Sequence, residues 1–158
     1  MSEKPSVVVI GVGNALRYDD AAGLHIARGL RMRVKDARIA VREHEGEALA
    51  LLEIWEGAEA TVLADAISSG APAGTIHRLD ASRTPLPTSL RSSSSTHAVS
   101  LGDAIELARA MGRLPARVVV FGIEGSRFDA GSGLSREVVA VLGRLSEAVL
   151  AEAQALAG

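Results

Sequence analysis

Short apolar runs closed by glycine or a polar residue alternate along the chain with segments whose apolar positions recur every three to four residues. Residues 7–10 are β-branched throughout and end at Gly11, the pattern of a strand buried on both faces. After the turn GVGNALRYDD, Ile26, Ala27 and Leu30 follow helical spacing to about Val34, with Asp19 or Asp20 placed to cap the helix. Residues 37–42 alternate weakly as a second strand, and 47–55 read as a second helix stopped near Gly57. Residues 60–66 form a third strand, apolar until it meets Asp65.

The segment 68–74, SSGAPAG, is turn chemistry, and 75–79 read as a fourth strand. A parallel crossover needs roughly a dozen residues or more, so so short a link makes strand four antiparallel. Residues 80–96 form a long Pro- and Ser-rich loop without periodicity, a length that compact domains reserve for functional or mobile loops. Leu101, Ala104, Ile105, Ala108 and Met111 share one face of a helix over 100–111, with Ser100 and Asp103 resembling a capping box and Gly112 as the stop. A fifth strand over 117–123, a Gly-rich loop and a terminal helix over 135–156 complete the pattern. Such alternation predicts a three-layer α/β/α sandwich around a five-stranded, mostly parallel sheet with strand four antiparallel, in one domain covering 1–158.

Composition narrows the function classes. Seventeen Lys and Arg against nineteen Asp and Glu give a net charge of −2, which argues against a broad nucleic-acid-binding face. The absence of cysteine excludes disulfides, thiolate metal sites and a cysteine nucleophile. Aromatics are 3%, too few for base-stacking platforms. No secretory pattern opens the chain, and no apolar run approaches the roughly 20 residues that cross a bilayer. The expectation is a soluble, cytoplasmic protein, and with no oligomerisation seam in evidence, a monomer.

In open α/β sheets ligands bind beyond the carboxyl ends of the strands. Three polar features fall there: the turn from Gly11 to Asp19 and Asp20, Asp65 at the end of strand three, and His97 before helix three. Two carboxylates and an imidazole suit a divalent ion such as zinc or nickel and leave coordination positions open. Each has a plainer reading, as a helix cap, a loop anchor or a solvated histidine. His25, His44 and His77 receive no role; His25 and His77 have no evident carboxylate companion. The rival is a dinucleotide fold, since Gly11-x-Gly13 follows the first strand, but Leu16 occupies the third-glycine position, and Glu43 and Glu45 come late for a ribose acid. Walker A and Gly-x-Ser-x-Gly motifs are absent.

Four stretches carry a family resemblance: VVVIGVGNALRYDDAAG (7–23), VLADAISSGAPAG (62–74), STHAVSLGDAIELARAMG (95–112), and VVVFGIEG with GSGLSREV (118–138). Together the sequence resembles the maturation endopeptidases of nickel–iron hydrogenases over nearly its whole length. The resemblance implies a mixed sheet with strand four antiparallel, and it assigns the metal-contacting and catalytic positions to Asp20, Asp65 and His97. It also implies removal of a C-terminal extension from a nickel-loaded hydrogenase large-subunit precursor, after a basic residue. Nickel would arrive with the precursor, zinc or cadmium substituting in crystals. Two departures stand out: Ala21 where the family often has Gly, and Glu43-His44-Glu45-Gly46 in place of an Asp-Gly-Gly segment. The bond could break through metal polarisation of carbonyl or water, or through a carboxylate such as Asp20 acting as general base in an aspartic-type reaction. The zinc-protease H-E-x-x-H helix is absent. The alternative reading is a non-catalytic metal-binding or nucleotide-binding α/β module.

Overall fold

Five strands lie side by side in the order β2-β1-β3-β5-β4 in the computed structural model, which describes residues 4–45, 47–87 and 101–158. In chain order the elements are β1 (Val7–Val12), a 3-10 turn (Tyr18–Ala21), α1 (Ala22–Arg33), β2 (Ile39–His44), α2 (Ala48–Ile54), β3 (Ala60–Ile67), β4 (Ile76–Asp80), α3 (Leu101–Ala110), β5 (Arg117–Glu124) and α4 (Arg136–Ala157). Strands β2, β1, β3 and β5 are mutually parallel, and β4 alone runs antiparallel, against β5. The architecture is the α/β sandwich expected, with the short β3–β4 link returning the chain along the edge of the sheet.

Strand periodicity separates two cores. Val7 and Val9 of β1, Val62 and Ala64 of β3, and Val119 and Phe121 of β5 pack with α1 and α4. Val8, Ile10, Leu63, Val118 and Val120 pack on the other side with Leu51, Leu52 and Trp55 of the α2 segment and with Ala104, Ile105 and Ala108 of α3. Every second side chain goes to the opposite layer, so both faces of the parallel strands must be apolar, which is why these runs lack polar alternation. Among the described residues, no helix is long and apolar enough to cross a membrane.

The first glycines are packing devices. A Cβ on Gly23 would collide with the carbonyl oxygens of Val12 and Ala64, and one on Gly11 with the Gly23 carbonyl and the Ala27 side chain. Helix α1 therefore crosses β1 and β3 at backbone contact. Gly23→Ala should destabilise the protein by about 3 kcal/mol, since the clash is with backbone that no rotamer change relieves. Urea unfolding measures this; a variant within about 0.5 kcal/mol of wild type contradicts the close crossing.

Two local expectations need correction. Asp19 and Asp20 do not cap α1: its N-cap is Ala21, without a side-chain hydrogen bond, and both acids lie inside the preceding 3-10 turn. Strands β2, β3 and β5 run on to His44, Ile67 and Glu124, beyond the ends expected from the apolar runs. Ser100 of the expected capping box and the 88–96 part of the long loop lie outside the described residues.

Candidate functional site

The carboxyl ends of β1, β3 and β5 form one rim of the sheet. Asp20 reaches it from the turn after β1, whose backbone is tied to itself and to β2. The Gly13 amide donates to the His44 carbonyl at 3.0 Å, the Asn14 amide to the Asp20 carbonyl at 3.1 Å, and the Asp20 amide to the Arg17 carbonyl at 3.0 Å. Gly13 lies directly against the Asp20 carbonyl, where a Cβ has no room. The glycine of the GxGN segment thus lets the turn close on the backbone that carries Asp20.

Asp65 reaches the rim from β3. Along that strand Val62, Ala64 and Ala66 belong to the α1/α4 core and Leu63 to the opposite one. Alternation puts Asp65 with Leu63, on the face covered by α2 and α3. Both acids are buried, each 5% exposed. Burial holds the Asp65 carboxyl well above the usual carboxylate range, and the charge of Asp20 raises it further, against a smaller downward pull from a hydrogen bond with the Ala66 backbone. Residues 45 positions apart have become electrostatic neighbours. A desolvated pair of acids resists carrying two charges, and a cation placed between them removes that resistance. His97, the third expected ligand, lies outside the described residues, four positions before α3 in the sequence. Among the described residues no cluster of three potential metal-ligating side chains is present.

Asp19, next in sequence, does different work. It is fully buried, and its Oδ2 accepts from the amides of Ser126 (2.7 Å) and Arg127 (3.1 Å) while its Oδ1 accepts from the Ser135 amide (2.7 Å). Burial pushes its carboxyl upward, but the amides of Ser135, Ser126 and Arg127 together outweigh burial and hold it below the ordinary value. Asp19 is the clamp that fastens the Gly-rich 125–135 loop to the Asp20 turn. Around it the Tyr18 amide donates to the Gly131 carbonyl at 3.0 Å, the Gly131 amide to the Leu16 carbonyl at 2.9 Å, and Arg17 Nε to the Phe128 carbonyl at 2.9 Å. Tyr18 adopts a left-handed φ of 41°, its ring lying against Gly131 and beneath the Arg127 guanidinium at 3.9 Å. Left-handed backbone at a tyrosine costs energy and persists because these contacts fix it.

A further buried carboxylate on the rim escaped the sequence reading. Glu124, 1% exposed at the end of β5, accepts from the Ser69 amide (3.1 Å to Oε2) and from the Ser69 hydroxyl, and its Oε1 lies 3.2 Å from His77 Nε2. His77 therefore has a carboxylate companion after all, and the trio fastens the β3–β4 link to β5. The available signal was a glutamate ending an otherwise apolar strand, VVVFGIE, where an unpaired charge would be costly.

The profile of the hydrogenase maturation protease family, HycI, matches residues 25–152. The chain belongs to this family. It is 28% identical over 135 residues to the hydrogenase expression/formation protein HupD of Rhodobacter capsulatus, covering 85% of this chain and 64% of that one. It is 23% identical to HupD of Thiocapsa roseopersicina, covering 86% and 62%. The chain thus spans a little under two thirds of the length of these curated relatives. Among solved structures, the hydrogenase maturating endopeptidase HybD from E. coli superposes with a TM-score of 0.77 at 27% identity, covering 92% of this chain and 90% of that chain.

Within this maturation protease family chain, the matched stretch includes Asp65 and His97, and Asp20 precedes it. The glycines that suggested a dinucleotide fold are occupied by the α1 crossing and by the Asp20 carbonyl. Glu43, weighed as a ribose acid, is engaged by Arg28 at 2.8 Å and Arg31 at 3.1 Å from α1. Ala21, the departure beside the acid pair, is buried.

Proposed function

We propose that this protein is an endopeptidase that removes the C-terminal extension of a nickel-loaded hydrogenase large-subunit precursor, acting on it in the cytoplasm as a monomer. Family membership supports the reaction class, and one observation supports the site: Asp65 is buried beside Asp20 at the rim, in a pair that disfavours double ionisation. Asp20, Asp65 and His97 would contact the nickel that the precursor carries, so the ion belongs to the substrate. A precursor without nickel offers nothing to offset the paired carboxylates and docks poorly; a loaded one bridges the two proteins.

In the reaction, water adds to the scissile carbonyl and the C–N bond breaks. Asp20, on its backbone-fixed turn, takes the proton from the attacking water and passes it to the leaving amine. A cation held beside Asp65 would offset the cost that burial and the Asp20 charge place on the ionised Asp65 carboxyl. The clamps at Asp19 and Glu124 hold the flanking loops without touching the reacting atoms.

Incubating the protein with nickel-loaded and nickel-free precursor, and weighing both by mass spectrometry, tests this reading. Loss of a C-terminal peptide from the loaded form alone supports it. An unshortened loaded precursor contradicts it and favours a carrier that holds metal without cleavage. His97→Ala should lower the shortening rate at least about tenfold with the fold intact, because even residues behind metal ligands cost 10–100-fold when removed. Undiminished shortening by that variant removes His97 from the site. Crystals soaked in zinc or cadmium should show density between the Asp20 and Asp65 carboxylates.

A further inference from the structure

We infer that Leu16 is a substrate-docking residue: a rigidly presented apolar anchor that the precursor covers when its metal reaches Asp20. This rests on the function proposed above and adds a binding contact to it. Leu16 is 72% exposed, although it belongs to a turn whose backbone is tied at almost every position. Its amide donates to Asn14 Oδ1 at 2.9 Å and its carbonyl accepts from the Gly131 amide at 2.9 Å. The residues after it turn inward: Arg17 bonds the Phe128 carbonyl, Tyr18 packs on Gly131, and Asp19 and Asp20 are buried. Leu16 is the large side chain that this turn directs to solvent.

The turn couples Leu16 to Asp20 as one rigid piece, since Asn14 binds the Leu16 amide through its side chain and the Asp20 carbonyl through its own amide. Leu16 is exposed four residues before Asp20 on the same tied turn, within reach of a polypeptide that brings a metal ion to Asp20. The occupant is therefore the precursor segment next to its metal-binding residues, with an apolar side chain meeting Leu16. A fixed apolar residue loses little conformational freedom on binding, so it raises affinity efficiently. Met32 is a natural control: it is 80% exposed but stands near the C-terminal end of α1, away from the turn that carries Asp20.

The test compares wild type, Leu16→Ser, Leu16→Met and Met32→Ser, reading both binding of nickel-loaded precursor by calorimetry and its shortening. Leu16→Ser should weaken binding and raise KM about tenfold or more, as expected for one buried leucine side chain, with kcat and thermal midpoint unchanged. Leu16→Met should restore wild-type values, and Met32→Ser should not depart from them. Wild-type affinity in Leu16→Ser, or an equal loss in Met32→Ser, overturns the inference even where cleavage proceeds normally. Leu16-dependent binding without any shortening supports the docking role and overturns the peptidase reading instead.

Discussion

Asp65→Asn is expected to reduce precursor shortening at least about 100-fold while making the protein more stable at neutral pH. The loss follows from removing a charged group proposed to contact the metal; changes behind such contacts alone reach 10–100-fold. The gain follows from the sign of the titration. Burial and Asp20 hold the folded carboxyl above its unfolded value. Its stabilising contribution is therefore complete below the ordinary carboxylate range and is lost as pH rises through the folded value. At pH 7 the wild type bears the strain of two crowded acids, which the amide relieves. A gain of about 1–2 kcal/mol would raise the midpoint by roughly 3–6 °C for a domain of this size. Near pH 3.5 the gain should vanish. Melting curves at the two pH values, beside the cleavage assay, decide it: a variant less stable at pH 7 contradicts the crowded-pair description.

Asp19→Ala should do the reverse, destabilising the fold by about 4 kcal/mol at pH 7. Three part-buried amides, those of Ser126, Arg127 and Ser135, lose the buried acceptor they share, and a donor left unmet away from water costs about 1–3 kcal/mol. Here the folded carboxyl sits below its unfolded value. Its contribution is present above the ordinary range and fades as pH falls through the depressed one, so the penalty should shrink in acid. Urea unfolding at pH 7 and pH 3 measures it. A cost under about 1 kcal/mol at pH 7 would show that the 125–135 loop is held by other contacts. Asp19 and Asp65 thus predict opposite stability effects, the first as a clamp and the second as a member of a strained pair with Asp20, the acid next to Asp19 in the sequence.

That division of labour was hidden in the sequence. The strands were legible because a sheet covered on both faces demands continuous apolar runs, and Val7, Val62 and Val119 satisfy it. Antiparallel β4 followed from a link too short for a crossover. The presence of Asp20 and Asp65 at one rim followed from strand polarity. What local pattern could not supply was long-range hydrogen bonding. Asp19 precedes a helix as a cap would, yet its partners lie more than 100 residues away. His77 looked unaccompanied because Glu124, its partner, is 47 residues distant and joins it only through β4–β5 pairing. The glycines of the first turn resembled a phosphate-binding start because close helix–strand packing uses the same residue for a related reason.

The central claim is that Asp20 and Asp65 read the metal carried by the precursor. Calorimetric affinity for nickel-loaded and nickel-free precursor, measured for wild type and Asp20→Asn, tests it most directly. Wild type should bind the loaded form at least about tenfold more tightly, a coupling of about 1.4 kcal/mol, and Asp20→Asn should lose most of that preference. Equal wild-type affinity for the two forms would contradict the account.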